Sequence, residues 1–116
     1  MNGLIIENEE SVHTFLAREI AEVEFTHAYS IEEGVKKVNY GFYFIIVGPC
    51  TSGSQPTTLD LIKELENTYA VPSIIVGVSG VPDFCEKMKK AGCHFVGDRI
   101  LMAEKIKEII KKNRKG

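Results

Sequence analysis

Apolar residues fall into two kinds of segment that alternate along the chain. Short uninterrupted runs, Leu4-Ile5-Ile6, Tyr43-Phe44-Ile45-Ile46-Val47 and Ile74-Ile75-Val76-Gly77-Val78, are separated by longer stretches where apolar positions recur every three or four residues. A continuous run of this length predicts a strand covered on both faces, because a strand with one wet face would alternate. Val23 to Tyr29 does alternate and predicts a second strand, and Cys93-His94-Phe95-Val96 a short fifth one. The spaced stretches predict helices with apolar stripes at Val12, Phe15, Leu16 and Ile20; Ile31, Val35 and Val38; Leu59, Ile62, Leu65 and Tyr69; Phe84, Met88 and Ala91; and Met102, Ile106, Ile109 and Ile110.

The boundaries carry their own signals. Ser11 is a candidate cap for the first helix, and Ser30 with Glu33 three residues on forms a capping box for the second. Asn39-Tyr40-Gly41 ends that helix, and either Thr57 or Thr58 caps the third. Pro82 stands at a first helical position, Gly92 at a C-terminal cap, and the last helix runs from about Leu101. Strand and helix therefore alternate five times with no linker or low-complexity segment, so residues 1–116 read as a single α/β domain: a parallel sheet with right-handed crossovers and helices on both faces. In such sheets ligands sit beyond the carboxyl ends of the strands. The middle run ends there in Gly48-Pro49, and glycine brings no side chain with which to do chemistry.

Composition narrows the class. The 116 residues are 44% hydrophobic and 26% charged, ordinary for a globular domain. No apolar run approaches the roughly 18 residues of a membrane span, and the start of the chain turns acidic at once, unlike a signal peptide. A cytoplasmic protein is expected. Cys50, Cys85 and Cys93 are an odd set without metal-ligand spacing, which favours reduced thiols. His13, His27 and His94 share no ligand spacing either. Charge is uneven: residues 1–82 carry a net −7 and residues 83–116 a net +5. A lysine-rich solvated helix face accounts for the basic part, which also offers a contact surface for an acidic partner.

Leu4-Ile5-Ile6-Glu7-Asn8-Glu9, Tyr43-Phe44-Ile45-Ile46-Val47 and Met88-Lys89-Lys90-Ala91-Gly92-Cys93, spaced through five βα units, resemble the receiver domain of two-component response regulators over nearly the whole chain. The resemblance implies a three-layer, flavodoxin-like (βα)5 doubly wound parallel sheet of strand order 2-1-3-4-5. It also implies a phosphorylation centre: an aspartate ending the third strand takes a phosphoryl group from a histidine kinase. An acidic pair after the first strand holds Mg²⁺, a Ser or Thr ends the fourth strand and a Lys the fifth. The types suit the chemistry, which needs a carboxylate nucleophile, a cation and donors to the phosphoryl oxygens.

Position by position this chain departs from that pattern. Glu7 and Asn8 fall on the acidic pair, leaving one carboxylate, so residual Mg²⁺ binding there is expected to be weak or lost. Gly48 falls on the phosphoacceptor, so the nucleophile is missing. Ser79 falls on the switch hydroxyl, although a helix-capping role explains it as well. Either Asp98 or Arg99 falls on the lysine, and neither is a lysine. The site reads as a degenerate phosphorylation centre on an intact scaffold, a pseudo-receiver with no catalytic residues and no enzymatic activity of its own.

The function expected from this is signalling by protein–protein contact, with a signalling protein or a second copy as partner. The face implied by the resemblance carries Lys87, Lys89, Lys90, Phe95, Arg99, Lys105 and Lys107. Phe95 falls on the aromatic that rotates on activation in receivers, and without a phosphoryl trigger core packing explains it better. An alternative of another class is a small-ligand or nucleotide module using the crevice above Gly48, although no glycine-rich phosphate motif is present. Nucleic-acid contact through the basic C-terminus lacks a reading helix or aromatic platform, and a membrane is not expected as a partner.

Overall fold

Every residue of the run Phe44-Ile45-Ile46-Val47 is buried in the computed structural model, which describes residues 1–39, 41–49, 57–67 and 72–115, Arg114 and Lys115 by backbone alone. That run is strand β3 (Phe44–Val47), the centre of a parallel sheet with β1 (Asn2–Ile6), β2 (Glu24–Ala28), β4 (Ile74–Val78) and β5 (Phe95–Gly97). The order is β2-β1-β3-β4-β5. Helices α1 (Glu10–Glu19), α2 (Ile31–Lys37), α3 (Thr58–Asn67), α4 (Pro82–Ala91) and α5 (Arg99–Lys115) connect and follow the strands. This is the flavodoxin-like α/β fold.

The strands have no polar alternation because helices cover both sides. Leu4, Ile6, Ile45, Val47 and Ile75 face one core, closed by Ile31 of α2, Leu61, Ile62 and Leu65 of α3 and Met88 and Ala91 of α4. Ile5, Phe44, Ile46, Val76 and Val78 face the other, closed by Val12 and Leu16 of α1 and Met102, Ala103, Ile106 and Ile110 of α5. Alternate residues of each strand thus enter opposite cores. Burial of each such Ile or Leu stabilises by roughly 1.5–3 kcal/mol. Tyr40, Tyr69 and the loop Cys50–Pro56 lie outside the described residues.

Several boundaries differ from the sequence expectation, each for a local reason. Ser11 does not cap α1: Glu9 occupies that place, its N–H taken by the Glu7 carboxylate at 3.0 Å, and Ser11 sits exposed in the first turn. Ser30 does cap α2, accepting from the Glu33 N–H at 3.0 Å, while the Glu33 carboxylate pairs with Lys37. Thr57 rather than Thr58 caps α3, accepting from the Asp60 N–H, and the Asp60 carboxylate returns to the Thr57 N–H at 3.1 Å. β5 begins at Phe95, not Cys93, because the N–H groups of Gly92 and Cys93 still bond back to Met88 at the end of α4. Gly92 there has φ 139°, a backbone region that only glycine enters without strain. α5 begins at Arg99, two residues earlier than expected, because the Asp98 carboxylate accepts from the Leu101 N–H at 2.9 Å.

Candidate functional site

The chain leaves β1 for β2 on one side and reaches β3 on the other, so the carboxyl ends of β1 and β3 part at the point where a doubly wound sheet opens a crevice. Register pairs Ile6 with Val47, and the Gly48 N–H donates to the Ile6 carbonyl at 2.9 Å. Glu7 and Gly48 are therefore lateral neighbours one residue beyond the sheet. A Cβ placed on Gly48 would lie 2.0 Å from Glu7 Oε1 and 2.8 Å from Glu7 Cδ. The carboxyl group of Glu7 occupies the space into which any side chain at position 48 would project.

Glu7 is held in that place. It is 5% exposed, and its Oε2 accepts the Glu9 N–H at 3.0 Å. Burial raises its proton affinity above the ordinary carboxylate value, and the N–H groups of Glu9 and Asn8 partly offset the shift. The Glu7 side chain thus turns inward over β3. The backbone below is fixed from the other side, since Thr58 Oγ1 donates to the Gly48 carbonyl at 3.1 Å.

Glu7, Asn8, Glu9, Ser79, Asp98 and Arg99 line one crevice of about 570 Å³. Of the six positions that the sequence singles out, Glu7, Asn8, Gly48, Ser79, Asp98 and Arg99, all but Gly48 border this space, and Gly48 lies under Glu7. Ser79 is buried, and its hydroxyl oxygen accepts from the Val81 N–H at 3.1 Å, so it shapes the turn into α4. Gly77 pairs with Val96 and Val78 with Gly97, which sets Asp98 level with Ser79 at the ends of β4 and β5. Arg99 points back across the mouth, 4.0 Å from Glu9. The crevice thus carries three carboxylates against one guanidinium.

On the face expected to meet a partner, Lys87, Lys89 and Lys90 are exposed on α4. The Lys89 ammonium donates to the His94 carbonyl at 2.6 Å, and the Lys105 ammonium lies 4.7 Å from the centre of the half-buried Phe95 ring. Cys50, Ser52 and Ser54 lie outside the described residues.

A cluster that the sequence did not announce lies directly behind the Glu7 turn. His13 of α1 is 1% exposed, its Nε2 is 2.7 Å from the Glu7 carbonyl oxygen, and its Nδ1 is 2.8 Å from Nδ1 of His27 on β2. The Tyr29 ring packs on His13 with centroids 4.2 Å apart. Burial, together with the bond and the charge of the Glu10 carboxylate, pushes the Tyr29 hydroxyl up. His94 is engaged elsewhere, its Nδ1 accepting from the Ile75 N–H at 2.9 Å. Among the described residues, no three His, Cys, Asp or Glu side chains converge as metal ligands, and no helix is long and apolar enough to cross a membrane.

No family model and no curated protein matches the sequence. Solved structures do match its fold. The chain is similar to a two-component response regulator from Clostridium difficile, with a TM-score of 0.77, 18% identity and 96% of each chain covered. It is similar to the receiver domain of NtrX from Brucella abortus, with a TM-score of 0.77, 14% identity and 95% of each chain covered. A CheY-like receiver domain protein from Methanospirillum hungatei JF-1 superposes with a TM-score of 0.70 at 16% identity, over 98% of this chain and 96% of that one. Its structural neighbours are thus response regulator receiver domains.

Proposed function

We propose that this chain is a receiver-like domain of two-component signalling that acts in the cytoplasm through protein–protein contact and takes no phosphoryl group at the end of β3. One observation carries the proposal: the place of an acceptor side chain above Gly48 is filled by the carboxyl of Glu7, already bonded to backbone N–H groups. Glu7 is a poor substitute for the missing nucleophile, because it is buried and its oxygens are committed to the Glu9 and Asn8 N–H groups. Asp98 at the level of Ser79 puts a negative group where a phosphoryl oxygen would need a positive one.

The donor set does not fit the Mg²⁺ ion that the fold family implies. Mg²⁺ demands near-octahedral geometry and is held by one or two free carboxylates together with waters and phosphate oxygens. Here Glu7 faces β3, Asn8 is neutral, Gly48 has no oxygen to add beyond its backbone, and Asp98 caps α5. No catalytic role follows for the chain's own residues.

The partner is a signalling protein or a second copy, and the exposed α4 lysines Lys87 and Lys90, with Lys105 over Phe95, favour an acidic contact surface. The crevice of about 570 Å³ supports a second reading, a small ligand held between Glu7, Ser79 and Asp98. Three carboxylates against Arg99 disfavour nucleotide phosphates there.

Incubation of the full chain with acetyl phosphate and Mg²⁺, followed by assay of acid-labile phosphate, tests the proposal. No incorporation is expected, and stoichiometric incorporation would overturn it. A thermal-shift panel of nucleotides and flavins separates the second reading, since a ligand that binds only the folded chain raises its melting temperature.

A further inference from the structure

Helices α4 and α5 begin beside the crevice with aliphatic side chains that neither the core nor the capping of either helix requires. Val81 is the N-cap of α4 and makes no side-chain capping bond. Ser, Thr, Asp or Asn would accept an N–H at that position, and valine is among the poorest residues for it. Burial does not compensate, because Val81 is 57% exposed. α5 is capped by Asp98, and its buried stripe is Met102, Ala103, Ile106 and Ile110. Ile100 and Leu101 fall outside that stripe and stand 61% and 56% exposed.

The three side chains emerge at one end of the sheet. Val78 and Gly97 are register partners on β4 and β5, and Val81 and Ile100 each follow three residues later. Gly80 leaves the surface beside Val81 open, since a Cβ added there would meet no atom within 4 Å beyond its chain neighbours. Gly80 and Ile100 both line the crevice. Single exposed aliphatics are ordinary, but a group of them at a cleft marks a surface that another molecule covers. The charge around this group is negative: Glu9 and Asp98 border the crevice, and Asp83 is exposed in the first turn of α4. Arg99, the cation of the crevice lining, already lies 4.0 Å from the Glu9 carboxylate. Lys87 and Lys105 come one turn further along α4 and α5, the latter over the Phe95 ring.

We propose that Val81, Ile100 and Leu101, with the carboxylates of Glu9, Asp83 and Asp98, form a docking surface for a basic amphipathic segment of a partner protein. The segment lays its apolar face on the three aliphatics and its Lys or Arg side chains over the carboxylates. Charge selects this occupant. Nucleic acid or an anionic lipid surface would set phosphate against carboxylate. A second copy meeting the patch with its own patch would oppose Glu9, Asp83 and Asp98 to themselves. The surface lies at the crevice end of α4 and α5, apart from the lysines further along both helices, and it does not depend on whether the end of β3 takes a phosphoryl group.

The test is a nuclear magnetic resonance titration of the isotope-labelled full chain with two synthetic peptides of about 15 residues, each with leucines along one helical face. One carries lysine and arginine on its other face, the second glutamate. The expected result is a saturable shift of the Gly80, Val81, Ile100 and Leu101 amides with the basic peptide alone, weaker as salt rises. Val81→Ser combined with Leu101→Ser should weaken that binding by about tenfold. Glu9→Gln combined with Asp83→Asn should remove most of its salt dependence. Val81→Ser alone should raise the melting temperature by supplying the missing cap, which shows that the variant folds and that the fold has no need of the valine. A fall in melting temperature would place Val81 in the fold and overturn the proposal. Equal binding of the glutamate peptide, shifts centred on Lys87, Lys89 and Lys90, binding unaltered by the serine variants, or no saturable shift at millimolar peptide would overturn it too. So would shifts of the same four amides with chain concentration alone, the mark of a second copy, or with vesicles of anionic phospholipid.

Discussion

Replacing Gly48 by alanine tests the geometry at the end of β3 through its energetics. The new Cβ would sit 2.0 Å from Glu7 Oε1, so the Glu7 carboxyl must leave its place over β3. It then loses its bonds to the Glu9 and Asn8 N–H groups, and hydrogen bonds to charged groups contribute about 1.5–3 kcal/mol each. Return of the carboxylate to water offsets part of that loss. The expected net destabilisation is about 1–2 kcal/mol, roughly a 4–8 °C fall in melting temperature for a domain of this size. Gly48 does not have a positive φ, so the backbone accepts alanine. In a Glu7→Ala background the same change should therefore be close to neutral, or stabilising by about 0.4–1 kcal/mol through the unfolded chain. Urea unfolding of the four chains gives the coupling energy, expected at about 1–2 kcal/mol. Additive effects, with Gly48→Ala costing as much when Glu7 is gone, would refute the reasoning.

Other consequences are smaller in scope. Burial raises the Glu7 carboxyl above its ordinary value of 4.5, so the folded chain holds that proton more tightly than the unfolded one. Its contribution to stability is therefore lost as pH rises through the folded value, and Glu7→Gln should flatten that part of a pH series of urea midpoints and raise stability at neutral pH. Thr57→Ala removes the oxygen that accepts the Asp60 N–H and should cost about 1 kcal/mol by thermal unfolding. The Cys93 thiol, buried and pushed up to about 12, should resist iodoacetamide in the native chain and react on unfolding, as read by peptide mass mapping.

The fold was legible because strands buried on both faces need unbroken apolar runs, and Leu4-Ile5-Ile6 and Phe44-Ile45-Ile46-Val47 are such runs. Element ends were less so, since they depend on which polar atom takes a given N–H. Asp98 rather than residues near Leu101 starts α5, and Glu9 rather than Ser11 precedes α1. At the site, the residue types were readable but not their directions. Gly48 announced a missing side chain, yet nothing in the order of residues said that Glu7 would turn inward to fill its place. His13 and His27 stand fourteen positions apart, and only the pairing of Ile5 with His27 across β1 and β2 brings them together beneath α1.

The central claim is that the end of β3 offers Glu7 as a fixed filling and no free carboxylate as an acceptor. Beryllofluoride, a chemical mimic of a phosphoryl group on a carboxylate, probes it directly. Amide spectra of the full chain recorded with Mg²⁺, before and after beryllofluoride, should show Gly48, Ser79 and Gly97 unmoved. Saturable shifts at those three amides would contradict the account.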